Sequence, residues 1–284
     1  MVVLVGCVVV IVAVLTGFTM AGGHVAALMH ISEVITICGS SLGALIIMSP
    51  PKVMRDLARG LGQVIKGSPY NKQTYLELFE VLYAFARIVR RDGILALDSH
   101  INNPKESAIF QKYPRIANNH HALEFICNAL ALLLDGKADP ADLTATLEEE
   151  INVIDREHHA AIGALTKTAD ALPGFGIVAA VLGIVVTMQA IDGPASEIGH
   201  KVGAALVGTF LGILLSYGFF APMAGRMENL GEGEKVFFRA VSCAVVAIAA
   251  GENAREVIIR ARRIVGTDCC SADNGDDPGS ARGG

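Results

Sequence analysis

Tryptophan is absent, and aromatic residues make up only 6% of the chain, so any aromatic anchoring at a membrane surface rests on a few Tyr and Phe. Cysteine is sparse as well. Cys7, Cys38, Cys127, Cys243, Cys269 and Cys270 form no CxxC pair, and four of them lie in or near apolar stretches, where a thiol acts as a small hydrophobe. This excludes a disulfide framework and a zinc site. The phosphate-cradling pattern GxxxxGK[ST] and a dinucleotide-type GxGxxG are both missing. His120-His121 and His158-His159 are adjacent pairs whose side chains diverge by about 100° on a helix, unlike the two-ligand face of HExxH. No catalytic residue and no metal ligand is assigned. The net charge of −5 argues against a nucleic-acid partner.

Charge is missing from whole windows of the chain. Nothing charged occurs from Ala171 to Ile191, or from Val202 to Gly225. Each run is long enough to cross a hydrocarbon core about 30 Å thick. The short polar link from Asp192 to Lys201 makes the pair a helical hairpin, because helices or closed barrels alone satisfy their backbone in lipid. With 52% hydrophobic residues, the chain suits a membrane protein with a sizeable aqueous part. Met1 to Gly23 is a first span, and the lack of a preceding basic region argues against a cleaved leader. A short turn carrying His24 and Glu33 follows, then a second span from Val34 to Pro51. The Glu148–Glu150 run reads as a solvated helix face.

Basic residues set the orientation. Of the 23 Lys and Arg, 14 lie between Lys52 and Lys167, and 8 lie from Arg226 onward. Lys52, Arg55, Arg59, Lys167 and Arg226 flank span ends, which places both long segments and both termini in the cytoplasm. The expected fold is an all-α membrane protein with four transmembrane helices, a large helical cytoplasmic loop domain and a C-terminal cytoplasmic helix. The expected divisions are residues 1–51 (first two spans), 52–169 (loop domain), 170–225 (hairpin), 226–266 (C-terminal helix) and 267–284 (disordered tail). Within the loop, Tyr75, Leu78, Phe79, Leu82, Phe85 and Ala86 share one face of a helix over 71–89. Further helices are expected over 123–134, ended by Asp135-Gly136, and from Asp139-Pro140 to about Ala164. The loop domain is expected to continue the membrane helices. One more long helix is expected from about Glu232 to Val265, its uncharged centre too short to span.

Small residues pattern the hairpin. Ala204, Gly208, Gly212 and Ser216 recur every four residues, and Gly176, Ala179, Ala180 and Gly183 do much the same on the preceding span. Such faces let backbones approach closely. They suggest either a close-packed bundle or a lining around another helix. No span has an ionisable residue near its middle, whereas an ion path in a membrane normally needs one. If the chain conducts protons, a partner helix must supply the carboxylate, and the smooth faces could receive it.

The motifs LPGFGIVAAVLGIV and PASEIGHKVGAALVGTFLGILLSYGFFAPMA, with MAGG, RRDGILALDSHI, NPKESAIFQKYPR and LEEEI, closely resemble the flagellar stator subunit family MotA. The resemblance runs in order from the first span to about Arg226. It implies a proton-conducting motor subunit of the bacterial inner membrane. Five copies would surround two MotB-type single-span helices, each carrying the ion-binding Asp, and the cytoplasmic loop would push on the rotor protein FliG. Pro173 and Pro222 then match prolines that couple ion flow to loop movement. Arg90 and Asp98, where the family usually has Glu, match rotor contacts, with Glu150 less central. Thr209 matches a pore-facing threonine, and Ala180 stands where sodium-type relatives have a second threonine. H⁺ is therefore the expected ion, and no cofactor is expected. The alternatives are an ExbB- or TolQ-like energiser, or a non-conducting membrane scaffold.

Overall fold

A computed structural model describes residues 2–28, 30–134, 139–189, 191–192 and 194–266. Among these residues every regular element is helical: α1 (Val2–Met20), α2 (Ile31–Met48), α3 (Pro51–Lys66), α4 (Lys72–Asp92), α5 (Asp98–Asn102), α6 (Ala108–Lys112), α7 (Pro114–Ala117), α8 (His120–Leu134), α9 (Pro140–Met188), α10 (Ala195–Leu215), α11 (Ala221–Ala249) and α12 (Ala254–Ile264). Four stretches are long and apolar enough to cross a membrane: Val2–Met20, Val25–Met48, and parts of Pro140–Met188 and Ala195–Ala249. The expected tail over 267–284, with Cys269 and Cys270, and the Asp135-Gly136 helix stop lie outside the described residues.

The chain forms two compact units, and α9 and α11 each contribute residues to both. The first unit comprises Met1–Gly67 and Arg156–Leu230. Here α1 has no buried residue although it is uniformly apolar, the signature of a helix solvated by lipid rather than by protein. The second span differs from the expectation of Val34 to Pro51. It starts at Ile31 and ends at Met48, and Pro51 opens α3 instead of closing the span. Proline suits that first helical position because its missing N–H would have no partner there. Glu33 consequently belongs to the first turn of α2 and not to the preceding turn. Buried threonines satisfy their hydroxyls on their own helix: Thr168 donates to the Ala164 carbonyl at 2.8 Å and Thr187 to Gly183 at 2.8 Å.

The second unit comprises Ser68–Asp155 and the chain from Gly231 onward. Asn71 caps α4 by accepting from the Thr74 N–H at 3.0 Å, and Gly93 ends it at φ +85° with its N–H on the Val89 carbonyl. The expected face, Tyr75, Leu78, Phe79, Leu82, Phe85 and Ala86, is buried in the main core. Phe125 of α8 stacks on Phe238 of α11 with centroids 4.4 Å apart, and α12 packs along α4.

Two further helix boundaries depart from the sequence reading. The helix begun at Pro140 does not stop near Ala164 but runs unbroken for 49 residues to Met188, with Pro173 in its interior. The one long helix expected from about Glu232 to Val265 is split in two, over 221–249 and 254–264. Helix α10 passes through a π-helical turn, Ser216–Phe220, into α11, which ends at Ala249. Gly251 at φ +75° then turns the chain, and Asn253 caps α12 through the Arg255 and Glu256 N–H groups.

Candidate functional site: the glycine-packed hairpin and the charged turn

The small-residue faces of α9 and α10 meet each other. A Cβ placed on Gly212 would lie 2.6 Å from the Leu172 carbonyl oxygen, and one on Gly176 would lie 2.9 Å from the Gly208 carbonyl oxygen. A Cβ on Gly183 would lie 2.8 Å from the Ala205 Cβ. The two backbones are therefore in direct contact, the geometry that small residues permit between membrane helices. The small-residue pattern alone fits a close-packed bundle or a lining around another helix, and close packing holds at Gly176, Gly183, Gly208 and Gly212. Those positions are filled from inside the chain and are not open to a partner helix.

Thr209 and Ala180 flank this contact. The Thr209 Cα lies 3.3 Å from the position a Gly176 Cβ would take, and the Ala180 N lies 3.4 Å from that of Gly208. Both residues are half-buried, so they border the packed seam without being consumed by it. The prolines are not at helix ends. Pro173 lies inside α9, where its ring removes the bond to the buried Ala169 carbonyl one turn back. Pro222 follows the π turn, in which the Ala221 N–H reaches back five residues to Ser216. Widened turns of this kind relieve a register defect such as the missing proline donor, and they concentrate at functional sites. The Ser216 hydroxyl is fully buried with no hydrogen-bond partner among the described residues, which marks the same turn as energetically costly.

The charged residues lie in the second unit. Arg90 is exposed in the last turn of α4, and with Arg87, Arg91, Ile88 and Ile109 it borders a depression of about 420 Å³. Arg91 is bidentate on Asp92, with its closest contact at 2.7 Å, and that hydrogen bond holds the Asp92 carboxyl below its usual range. After the Gly93 turn, Leu97 is buried and anchors the 3-10 turn Ile94–Leu97, while Leu95 projects into solvent, 81% exposed. Asp98 begins α5, exposed, and accepts from Asn102 Nδ2 at 3.0 Å. Arg90 and Asp98 thus bracket one turn. Glu150 has different surroundings: it is half-buried on α9, where burial raises its pKa, opposed by a hydrogen bond from Asn128 and reinforced more weakly by the Glu124 charge.

The sequence reading missed two features. Glu33 is buried inside α2, and Arg87 shares the Arg90 depression. A lone acid in the first turn of an otherwise uncharged span was the available signal for Glu33.

An all-helical, four-span chain with a glycine-packed hairpin and a proline in each hairpin helix is the architecture of a membrane channel component. In agreement, residues 117–238 match the MotA/TolQ/ExbB proton channel family, and residues 4–93 match the family described as Motility protein A N-terminal. Motility protein A of Salmonella typhimurium is 39% identical over 79% of this chain and 76% of its own length. Chemotaxis protein LafT of Vibrio parahaemolyticus is 38% identical over 86% of both chains. Among solved structures, the C. jejuni MotAB structure aligns with a TM-score of 0.77 at 23% identity, covering 94% of this chain and 96% of that one. The flagellar MotAB stator complex from Bacillus subtilis gives 0.72 at 22% identity, covering 89% and 91%. The chain belongs to the Motility protein A family.

Proposed function

We infer that this chain is a subunit of a flagellar motor stator, a membrane torque generator driven by ion flow. The observation that carries this reading is family membership over most of the chain, joined to a hairpin whose Thr209 and Ala180 flank a backbone-packed seam. The chain is a membrane protein of four spans. Its orientation, with both termini and both long segments in the cytoplasm of an inner-membrane protein, is supported by the clustering of Lys and Arg at the span ends.

No acid stands mid-span, so the ion-binding carboxylate comes from a second protein, a MotB-type single-span helix. The chain assembles around such helices as a homo-oligomer, a pentamer on the family pattern. The translocated ion is H⁺. A sodium ion must exchange its hydration shell for several oxygens, and Ala180 provides no hydroxyl beside that of Thr209. A proton needs only the partner carboxylate. Pro173 and the π turn before Pro222 are flexible points in the two helices that carry the ion path. Glu150 and Pro173 share the single helix α9, which gives ion-driven movement a covalent route to the cytoplasmic residues. Arg90 and Asp98, exposed on either side of one turn, form the grip on the rotor protein FliG. Solvent-exposed charge pairs are worth about 0–1 kcal/mol each, which suits a contact made and released at every step.

Deleting the gene tests this reading. The expected cells carry complete flagella that do not rotate, and the wild-type gene restores swimming. Restored swimming collapses on addition of a protonophore and is unchanged by removal of Na⁺. A strict Na⁺ requirement would overturn the ion assignment, and motile deletion cells lacking any second stator set would overturn the function.

A further inference from the structure

Glu33 is 6% exposed, and no other Asp, Glu, Lys, Arg or His among the described residues is buried as deeply. Its one hydrogen bond among those residues comes from the Ser32 hydroxyl, which donates to Oε2 at 2.7 Å. Ser32 itself is exposed, so the carboxylate is one side chain away from the surface. Glu33 lines a cavity of about 340 Å³ at the end of the bundle where α2 starts. The groups facing it there can be named by element. His30 precedes α2, and Ser32 and Thr36 lie on α2. From α10 comes Lys201, whose ammonium is already paired with Glu197 at 3.0 Å. α9 contributes only apolar residues, among them Gly183 of the packed seam.

A carboxylate removed from water and held by a single neutral donor is costly, and within a membrane span such a residue marks an ion pathway by default. The cavity wall joins the carboxylate to the outer end of the α9–α10 seam, at Gly183 and Ala204, the same helices that carry Ala180 and Thr209.

We propose that Glu33 is a proton-uptake site at the outer mouth of the channel. Its carboxylate takes a proton from external water to become the neutral acid, then releases it to water in the cavity, from which it reaches the partner helix's acid. One O–H bond forms and breaks per ion, and nothing is oxidised or reduced. The assignment rests on the stator function and orientation inferred above.

The test uses a stator-deleted host expressing the full chain with its partner, reading single-motor speed against external pH together with the number of tagged stators at each motor. Glu33→Gln keeps the shape and removes the exchangeable proton. Its stators are expected to assemble normally and to turn slowly, with the deficit widening to on the order of tenfold at alkaline external pH, where charge focusing in the mouth matters most. Glu33→Asp is expected to recover part of the speed. Wild-type speed in Glu33→Gln at every pH, or the same fractional loss at every pH, would overturn the proposal in favour of a packing role. If Glu33→Gln fails to assemble, Lys201→Gln decides. Removing that cation leaves the mouth more negative and is expected to raise speed above wild type at alkaline pH; an unchanged pH profile would refute proton gathering there. Failure of the wild-type gene to restore rotation would count against the stator function itself and not against Glu33.

Discussion

At the scale of single residues, the hairpin glycines are steric requirements. A methyl group at position 212 would sit 2.6 Å from a backbone carbonyl that cannot swing away. Gly212→Ala is therefore expected to destabilise the hairpin by about 1–3 kcal/mol, the usual cost of overpacking. Thermal stability of the detergent-purified complex checks this, with Gly199→Ala as control, because a Cβ there meets nothing within 4 Å. Equal melting of the two variants would show that α9 and α10 are not in backbone contact. The four-residue spacing of Gly208 and Gly212 was legible in the sequence. Which surface they face was not, since a smooth stripe fits a neighbouring span and a foreign helix equally well. Glu33 was hidden for another reason. A charge at a span end reads as part of the adjoining turn, and only the three-dimensional path of α2 shows it to be enclosed.

At the scale of elements, the helical character and the four apolar spans were readable, whereas the short helices α3, α5, α6 and α7 and several boundaries were not. Apolar runs and the periodic face of α4 specify helices through burial, a signal distributed over many residues. Boundaries depend on a few local bonds. Proline normally stops a helix, yet α9 continues through Pro173 because neighbouring turns tolerate one missing donor within a packed bundle. The π turn before Pro222 is invisible to any periodicity argument, since a single five-residue turn changes the phase without changing composition. These two defects in otherwise regular helices are the expected hinges. Pro173→Ala restores the lost backbone bond and should stiffen α9. Stators carrying it are expected to reach the motor in normal number and deliver reduced torque, measured as bead rotation under load. Normal torque would remove the hinge role from Pro173.

At the scale of the whole molecule, two compact units share the helices α9 and α11. One unit bears the uncharged spans and the seam. The other bears Arg90, Asp98 and a self-contained aromatic core. The division predicts separable defects. Arg90→Glu reverses an exposed charge outside the core, so ion conduction and assembly are expected to survive while rotation fails. A reversed charge on the rotor protein should restore part of the swimming, scored by motility-agar expansion. If none of a panel of rotor charge reversals rescues, Arg90 does not touch the rotor directly.

Helix α1 shows how unevenly the chain is constrained. Because α1 buries none of its residues and packs on its unit at few of them, Val3 and Val10 among these, most of its positions accept nearly any apolar side chain. The seam between α9 and α10 admits almost no drift, since each glycine is fixed by the backbone of the other helix. In a library of random variants selected for swimming, survivors should carry apolar exchanges at most of residues 2–20 and avoid 176, 183, 208 and 212. Such a tolerance map would trace the working axis of the subunit with no ion measured.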